Sequence, residues 1–356
     1  MPRRPLRFAV PGKVHMRLRS ALAVAITCAA TIVAAPAASA ATTHRPADAA
    51  SGWLARQFVG GDHLETDFGG TSYPDAGLTL DAVFAFASSG NANDYGAAAL
   101  TWLAQPANLT GYIGDGTEAY AGATAKTALA VQVRGGNPTS FGGVNLVTRL
   151  NSLLTPSGRF SDQSIYGDYT NAFSQSLAII TLDRTPAGAP VSAVDYAAAT
   201  QCPDGGFPIV LGAPTCSSDT DATALVTQAL LATGRTAKAQ QGLTWLKSKQ
   251  QAGGGIAYGN GSGTPNANTT GLAGQAFRAG NRPAAALKAR QYILSLRQTC
   301  TAPTAQRGAI AYDATGYDPT TVTRATTQAI LGLHGAPFAT LTSAGSTTGA
   351  PTLACS

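Results

Sequence analysis

Histidine and glutamate are almost missing from this chain, which has four of the first and two of the second among 356 residues. Only His44, His63 and His334 lie beyond residue 40, so a Ser–His–Asp hydrolase has little to draw on. No Cys-x-x-Cys pair occurs and no histidine neighbours a cysteine, which excludes a zinc ribbon or finger. The aspartates show no EF-hand spacing. No metal and no cofactor is therefore expected. No stretch after residue 40 approaches the roughly 20 apolar residues that span a bilayer. A surplus of one charge is absent too. The formal +6 comes from Arg3, Arg4, Arg7, Lys13, Arg17 and Arg19; beyond residue 40, 18 basic residues face 18 acidic ones. That balance removes the main argument for a nucleic-acid partner.

What is present begins with a leader. Residues 1–40 read as a secretion signal peptide, with arginines after Met16, an apolar run, and Ala38-Ser39-Ala40 as the cleavage site. Translation starting at Met1 or at Met16 fits equally. An extracellular location without a membrane anchor is expected. Four cysteines follow, Cys202, Cys216, Cys300 and Cys355, and an even number in an exported chain suggests two disulfides. Three pairings are possible. Cys202–Cys216 with Cys300–Cys355 is favoured: the first closes a short loop, worth about 3 kcal/mol in the chain-entropy model. The second pins a C-terminal tail, residues 341–356, otherwise expected to be loose.

Residues 41–340 hold the dominant signal. Cys202 to Gly234 is the template, made of a Gly205-Gly206-Phe207 turn, a polar loop, and a helix that starts at the Ser217–Asp221 cluster. Aligned on Gln228, the copies centre on Asp81, Leu129, Gln175, Gln228, Gln275 and Gln328, with threonines five residues earlier in five of the six. Turn copies begin at Gly158, Gly205, Gly254 and Gly308. A more charged helix precedes each, around Trp53, Trp102, Arg149, Tyr196, Trp245 and Tyr292. Six hairpins of one solvated helix and one with almost no charge imply an outer and an inner ring. The last inner helix is no more polar than the middle ones, which favours a closed all-α, α/α toroid over an open solenoid with polar caps.

The Gly-Gly-Phe turn, the S-x-x-x-A-T helix start and the Gln-Ala-Leu centre, repeated about every 49 residues, resemble the prenyltransferase and squalene-cyclase repeat. The resemblance covers Trp53 to Gly335 and implies an α/α toroid. The zinc set of protein prenyltransferases needs an Asp-x-Cys that is absent, as is the Cys-Gly-Glu-Gln core of thioester domains. Triterpene-type cyclases protonate with a DxDD acid at the start of an inner helix. Asp219-Thr220-Asp221-Ala222 stands there without the last acid, and helix capping also explains both aspartates. They are the catalytic candidates if the chain is an enzyme.

In a toroid the loops from outer to inner helices share one face, and they carry 13 of the 18 carboxylates and eight of the eleven tyrosines. The expected ligand site is this acidic, aromatic mouth. It comprises Tyr73, Asp75, Tyr112, Asp115, Glu118, Tyr120, Tyr166, Asp168, Tyr169, Phe207, Tyr258, Tyr312 and Tyr317. The expectation is a small-molecule or extracellular ligand bound without catalysis. A terpene-cyclase-like enzyme using Asp219 or Asp221, and a glycosidase using two carboxylates such as Glu65 and Glu118, are the alternatives.

Overall fold

Helices begin where short polar side chains can take up the free N–H groups of a first turn. Asp75, Asn171, Asp219 and Asn266 do this for four inner helices, accepting from Leu78, Phe173, Ala222 and Thr269 at 2.7–2.9 Å. The computed structural model describes residues 41–355, so the expected signal peptide lies outside the described residues. In chain order, α1 is Pro46–Ala55, α2 Ala76–Ser89, α3 Asn93–Leu103, α4 Pro106–Ile113 and α5 Ala121–Val133. Then come α6 Leu146–Ser152, α7 Ala172–Asp183, α8 Val191–Ala199 and α9 Thr220–Ala232. The series ends with α10 Thr236–Lys249, α11 Ala267–Ala279, α12 Pro283–Ser295 and α13 Val322–His334. One helix more than the expected twelve arises in the second hairpin. There Pro106, unable to continue a helix, restarts it as α4.

The inner helices α2, α5, α7, α9, α11 and α13 pack in sequence, and α13 packs on α2, so the ring is closed. Small residues let the backbones meet. A Cβ on Gly332 would lie 2.7 Å from the Gly271 Cα, and one on Gly271 would lie 2.5 Å from the Gln328 carbonyl oxygen. The outer layer closes as well. Each turn glycine at positions 158, 254 and 308 abuts a carbonyl of the next outer helix, and for Gly308 that helix is α1.

A repeated hydrogen bond ties each turn to its inner helix. The N–H of Phe207 donates to Thr223 Oγ1 at 2.8 Å, Ile256 to Thr270 at 2.9 Å and Ile310 to Thr326 at 2.9 Å. Leu64 donates to Thr79 in the same way, and Phe160 to Gln175 Oε1, both at 2.9 Å. The register read from the letters is thus right for the fourth and fifth units and shifted in the first, third and sixth; in the second, Thr124 Oγ1 has no partner. Gln175 stands in the place of Thr223, five residues from its expected partner Gln228, and Thr326, not Thr323, makes the last bond. Replacing Thr223 with Val keeps the shape but leaves a buried N–H without an acceptor. We expect a loss of about 1–3 kcal/mol in urea unfolding. A loss under about 0.5 kcal/mol would remove the bond from the account of the repeat.

The C-terminal segment is held along its length, not by Cys355 alone. Gln275 Nε2 donates to the Ala336 carbonyl at 2.9 Å, and Gln228 Oε1 accepts from Phe338 N at 3.3 Å. Arg184 donates to the carbonyls of Phe338, Ala339 and Leu341 at 2.7–3.0 Å. Farther on, Thr352–Leu353 pairs in parallel with Thr42–Thr43. Both disulfides form in the favoured pairing, Cys202–Cys216 and Cys300–Cys355. Among the described residues no helix is long and apolar enough to cross a membrane.

Candidate functional site

The inner ring encloses a cavity of about 230 Å³, to which all six inner helices contribute. Its apolar wall is Phe84, Phe173, Leu177, Leu225, Leu272 and Leu331, and Phe338 from the C-terminal segment lies edge-on to Phe84 at 5.3 Å. Its polar residues are Asp81, Lys126, Asp221, Asn268 and Gln328. Lys126 Nζ meets Asp81 Oδ1 at 2.6 Å, so those two charges neutralise each other. The Oδ1 atoms of Asp221 and Asn268 are each shut off from water and have no hydrogen-bond partner. Both residues keep some accessible surface elsewhere, and both line the cavity. An unsatisfied buried acceptor costs about 1–3 kcal/mol, more when charged; these two atoms are turned away from the chamber, which their residues line through other atoms.

Asp219 and Asp221 differ in role although both open α9. Asp219 caps the helix through Ala222 N at 2.8 Å. Burial raises its pKa, against the N–H groups of Ala222 and Asp221. Asp221 caps nothing. Burial pushes its carboxyl up to about 7, opposed by the Thr269 hydroxyl and assisted by the nearby Asp219 charge. Tyr258 and Tyr312 share this field. The Tyr258 phenol is raised first by Asp219, then by burial and Asp221, and that of Tyr312 by burial, then by Asp221 and Asp313.

The remaining mouth residues fall into separate groups. Asp75 caps α2 and pairs with Arg324 at 3.0 Å; burial opposes its ionisation but is outweighed by the Leu78 N–H, the Thr66 hydroxyl and Arg324. With Tyr73 and Tyr112 it lines a rim hollow of about 490 Å³. The Tyr112 phenol is raised by burial and by Asp81 and Asp75. A second group joins the second and third repeats. There Glu118 accepts from Ile165 N at 3.0 Å and faces Tyr120 at 3.4 Å, Asp115 accepts from Thr117 and Glu118 N–H, and Tyr166 is exposed close by. Asp168 is occupied by Arg159 at 2.9 Å and by Thr170, and Tyr169 is exposed. Tyr317 packs edge-on against Trp53 of α1. Phe207 is fully buried, its ring against α10 at Gly242, and presents nothing to a ligand. None of the thirteen residues expected at the mouth lines the central cavity; of the two catalytic candidates Asp221 does and Asp219 does not.

Asp81, Lys126, Asn268 and Gln328 were not expected at the site. A signal existed for two of them: Asp81 is the only charged residue in α2, and Lys126 the only one in α5. Another hollow, about 730 Å³, is a shallow outer groove beside Asp204 and α10. The Asp204 carboxylate is already held there by Trp245 Nε1 at 2.8 Å and by Gly206 N at 3.1 Å, which leaves it no free chemistry.

A closed double ring of helices around a chamber with a polar end and an apolar wall defines the α/α toroid of terpene cyclases and prenyltransferases. The type II terpene cyclase MstE from Scytonema superposes with a TM-score of 0.56 at 15% identity, over 81% of this chain and 96% of that one. A protein from Actinoplanes gives 0.57 at 13%, over 82% and 98%, and Candida albicans protein geranylgeranyltransferase-I complexed with GGPP gives 0.53 at 13%, over 76% and 90%. The chain spans 50% of ent-copalyl diphosphate synthase from Streptomyces platensis. At such identities the likeness establishes the fold alone. No family model and no curated protein matches the sequence.

Proposed function

We propose that this is an exported binding protein that takes a small amphipathic molecule into its central cavity and does not transform it. The carrying observation is a chamber with an apolar wall of Phe and Leu and a polar set made of Asp81, Lys126, Asp221, Asn268 and Gln328. A polar head meets the polar residues, and an apolar body covers the wall. At about 230 Å³ the chamber lies below the roughly 300–1,000 Å³ of drug-sized sites, so the ligand is small. Two disulfides support an oxidising, extracellular setting. Native mass spectrometry of the protein from its own culture supernatant tests the reading. The expected result is a retained small mass that disappears when Leu272→Phe fills the chamber. Protein that is absent from the supernatant, or is bare polypeptide under the gentlest conditions, would overturn it.

A second reading rests on Asp221 as an acid. A carboxyl that stays protonated up to about pH 7 above phenylalanine faces suits protonation of an alkene and shelter of the resulting cation. The Asp81–Lys126 pair in the same chamber, and Ala222 in place of a third acid, count against it. Incubation with acyclic C10 to C20 isoprenoids decides: a cyclised product lost in Asp221→Asn favours this reading, and no product retires it. The glycosidase alternative gains no support, since Glu65 and Glu118 do not line the chamber and each faces a local partner, His63 at 3.5 Å and Ile165 N at 3.0 Å.

A further inference from the structure

Away from the chamber, aromatic side chains from three elements meet at the rim hollow of about 490 Å³, within the roughly 300–1,000 Å³ of small-molecule sites. Phe68 and Tyr73, on the hairpin that pairs Glu65–Asp67 with Ser72–Pro74, are 68% and 54% exposed, with ring centroids 6.2 Å apart. Trp102 of α3 is held as a fixed plate: His63 stacks on one face at 4.8 Å, and Asp62 anchors His63 at 2.6 Å. Tyr112 of α4 completes the aromatic lining. Exposed apolar rings gathered in one place mark an interaction site. The polar groups narrow the choice of ligand. Asp75, the one charged side chain lining the hollow, is matched by Arg324 at 3.0 Å, so a charged ligand finds no free counter-charge. Asn108 Nδ2 donates to the Trp102 carbonyl at 2.8 Å, which fixes Oδ1 as the other end of the amide. That Oδ1 and the Tyr112 hydroxyl have no hydrogen-bond partner among the described residues, and neither is sealed from solvent.

We propose that the rim hollow is a second site, independent of the chamber, for a neutral oligosaccharide of β-linked pyranoses with equatorial hydroxyls. Its C–H faces pack on the rings of Phe68, Tyr73 and Trp102, and its hydroxyls meet Tyr112 and Asn108. A sugar hydroxyl both donates and accepts, so one kind of group serves the phenol and the amide oxygen together. Equatorial substitution leaves C–H groups on both faces of each ring, an apolar and slightly positive surface that suits the negative face of an aromatic ring. An apolar peptide or the hydrophobic face of a second copy would cover the rings and leave the two polar atoms unmet. An anionic sugar would gain nothing from a hollow whose only charge is a carboxylate already paired.

Calorimetric titration of the full chain with cellotetraose, tetra-N-acetylchitotetraose and tetragalacturonate tests the proposal. Saturable binding of at least one neutral sugar is expected, and none of the galacturonate at the same concentration. Trp53 and Trp245 are buried, so a shift in tryptophan emission on binding reports Trp102. Gly111 of α4 lines the hollow, and a Cβ there would meet nothing within 4 Å. Gly111→Leu therefore fills the site while favouring the helix, and it should abolish binding. Phe68→Ala and Tyr73→Ala, both on the exposed hairpin, should each weaken binding about tenfold. Tyr112→Phe removes only the hydroxyl and should cost about threefold to tenfold. Three results overturn the proposal: neither neutral sugar binds, the galacturonate binds better than both, or Gly111→Leu and Phe68→Ala bind as the unaltered chain does. Sedimentation that shows a dimer dissolved by Phe68→Ala would assign the rings to self-association and overturn it as well. Each of these outcomes leaves the chamber reading untouched, and a chamber found empty leaves this site standing.

Discussion

Asp221→Asn will raise the urea midpoint at pH 8 and change it little at pH 4. The carboxyl titrates near 7 in the folded protein against 3.8 when exposed, so the folded state holds an extra proton between those values. Stability from this group is therefore intact below about pH 4, is lost progressively between there and pH 7, and stays lost above 7, where the folded protein must carry the charge. Asparagine carries no charge and escapes that loss. A gap of about 3 units corresponds to at most about 4 kcal/mol, and partial contact of Asp221 with the open chamber reduces it. We expect about 1–3 kcal/mol at pH 8. Asp219, Asp162 and Asp183 also have raised values, but they are present in both proteins and cancel in the comparison. Equal shifts at pH 4 and pH 8 would mean that Asp221 is not held neutral.

Gly308→Ala will cost about 3–5 kcal/mol, the largest single loss we expect outside the cavity. Two effects add at this position. Its φ of +95° suits glycine, and an alanine Cβ would lie 2.6 Å from the Ala49 carbonyl oxygen on α1. Gly316 separates the two effects, because its φ is +105° but nothing lies within 4 Å of an added Cβ. Gly316→Ala should lose only the backbone part, about 1–2 kcal/mol. Similar losses at both positions, measured by urea unfolding, would show that the contact closing the outer ring contributes little.

The fold was legible because repetition averages over noise: one Gly-Gly-Phe turn proves little, but four related turns ahead of nearly uncharged helices imply two rings. The site was less legible, for a physical reason. Identical letters do different work once the hairpins curl. Gln175 accepts from Phe160 N, Gln228 and Gln275 hold the segment around Phe338, and Gln328 faces the chamber. No local pattern separates these roles, since each partner lies 15 to 110 residues away. The tyrosine-rich mouth follows from loop composition, yet most of its aspartates are spent on nearby N–H groups, as at Asp115, Asp168 and Asp318. The informative residues were the misfits, Asp81 and Lys126, each the lone charge in an inner helix.

Phe338 belongs to a stretch that follows all six hairpins in the chain, yet it forms part of the chamber wall. Five hairpins make an open arc, because the ring closes only when α13 reaches α2. The wall is finished later still, once synthesis has passed residue 338, so a chain still on the ribosome has no complete chamber.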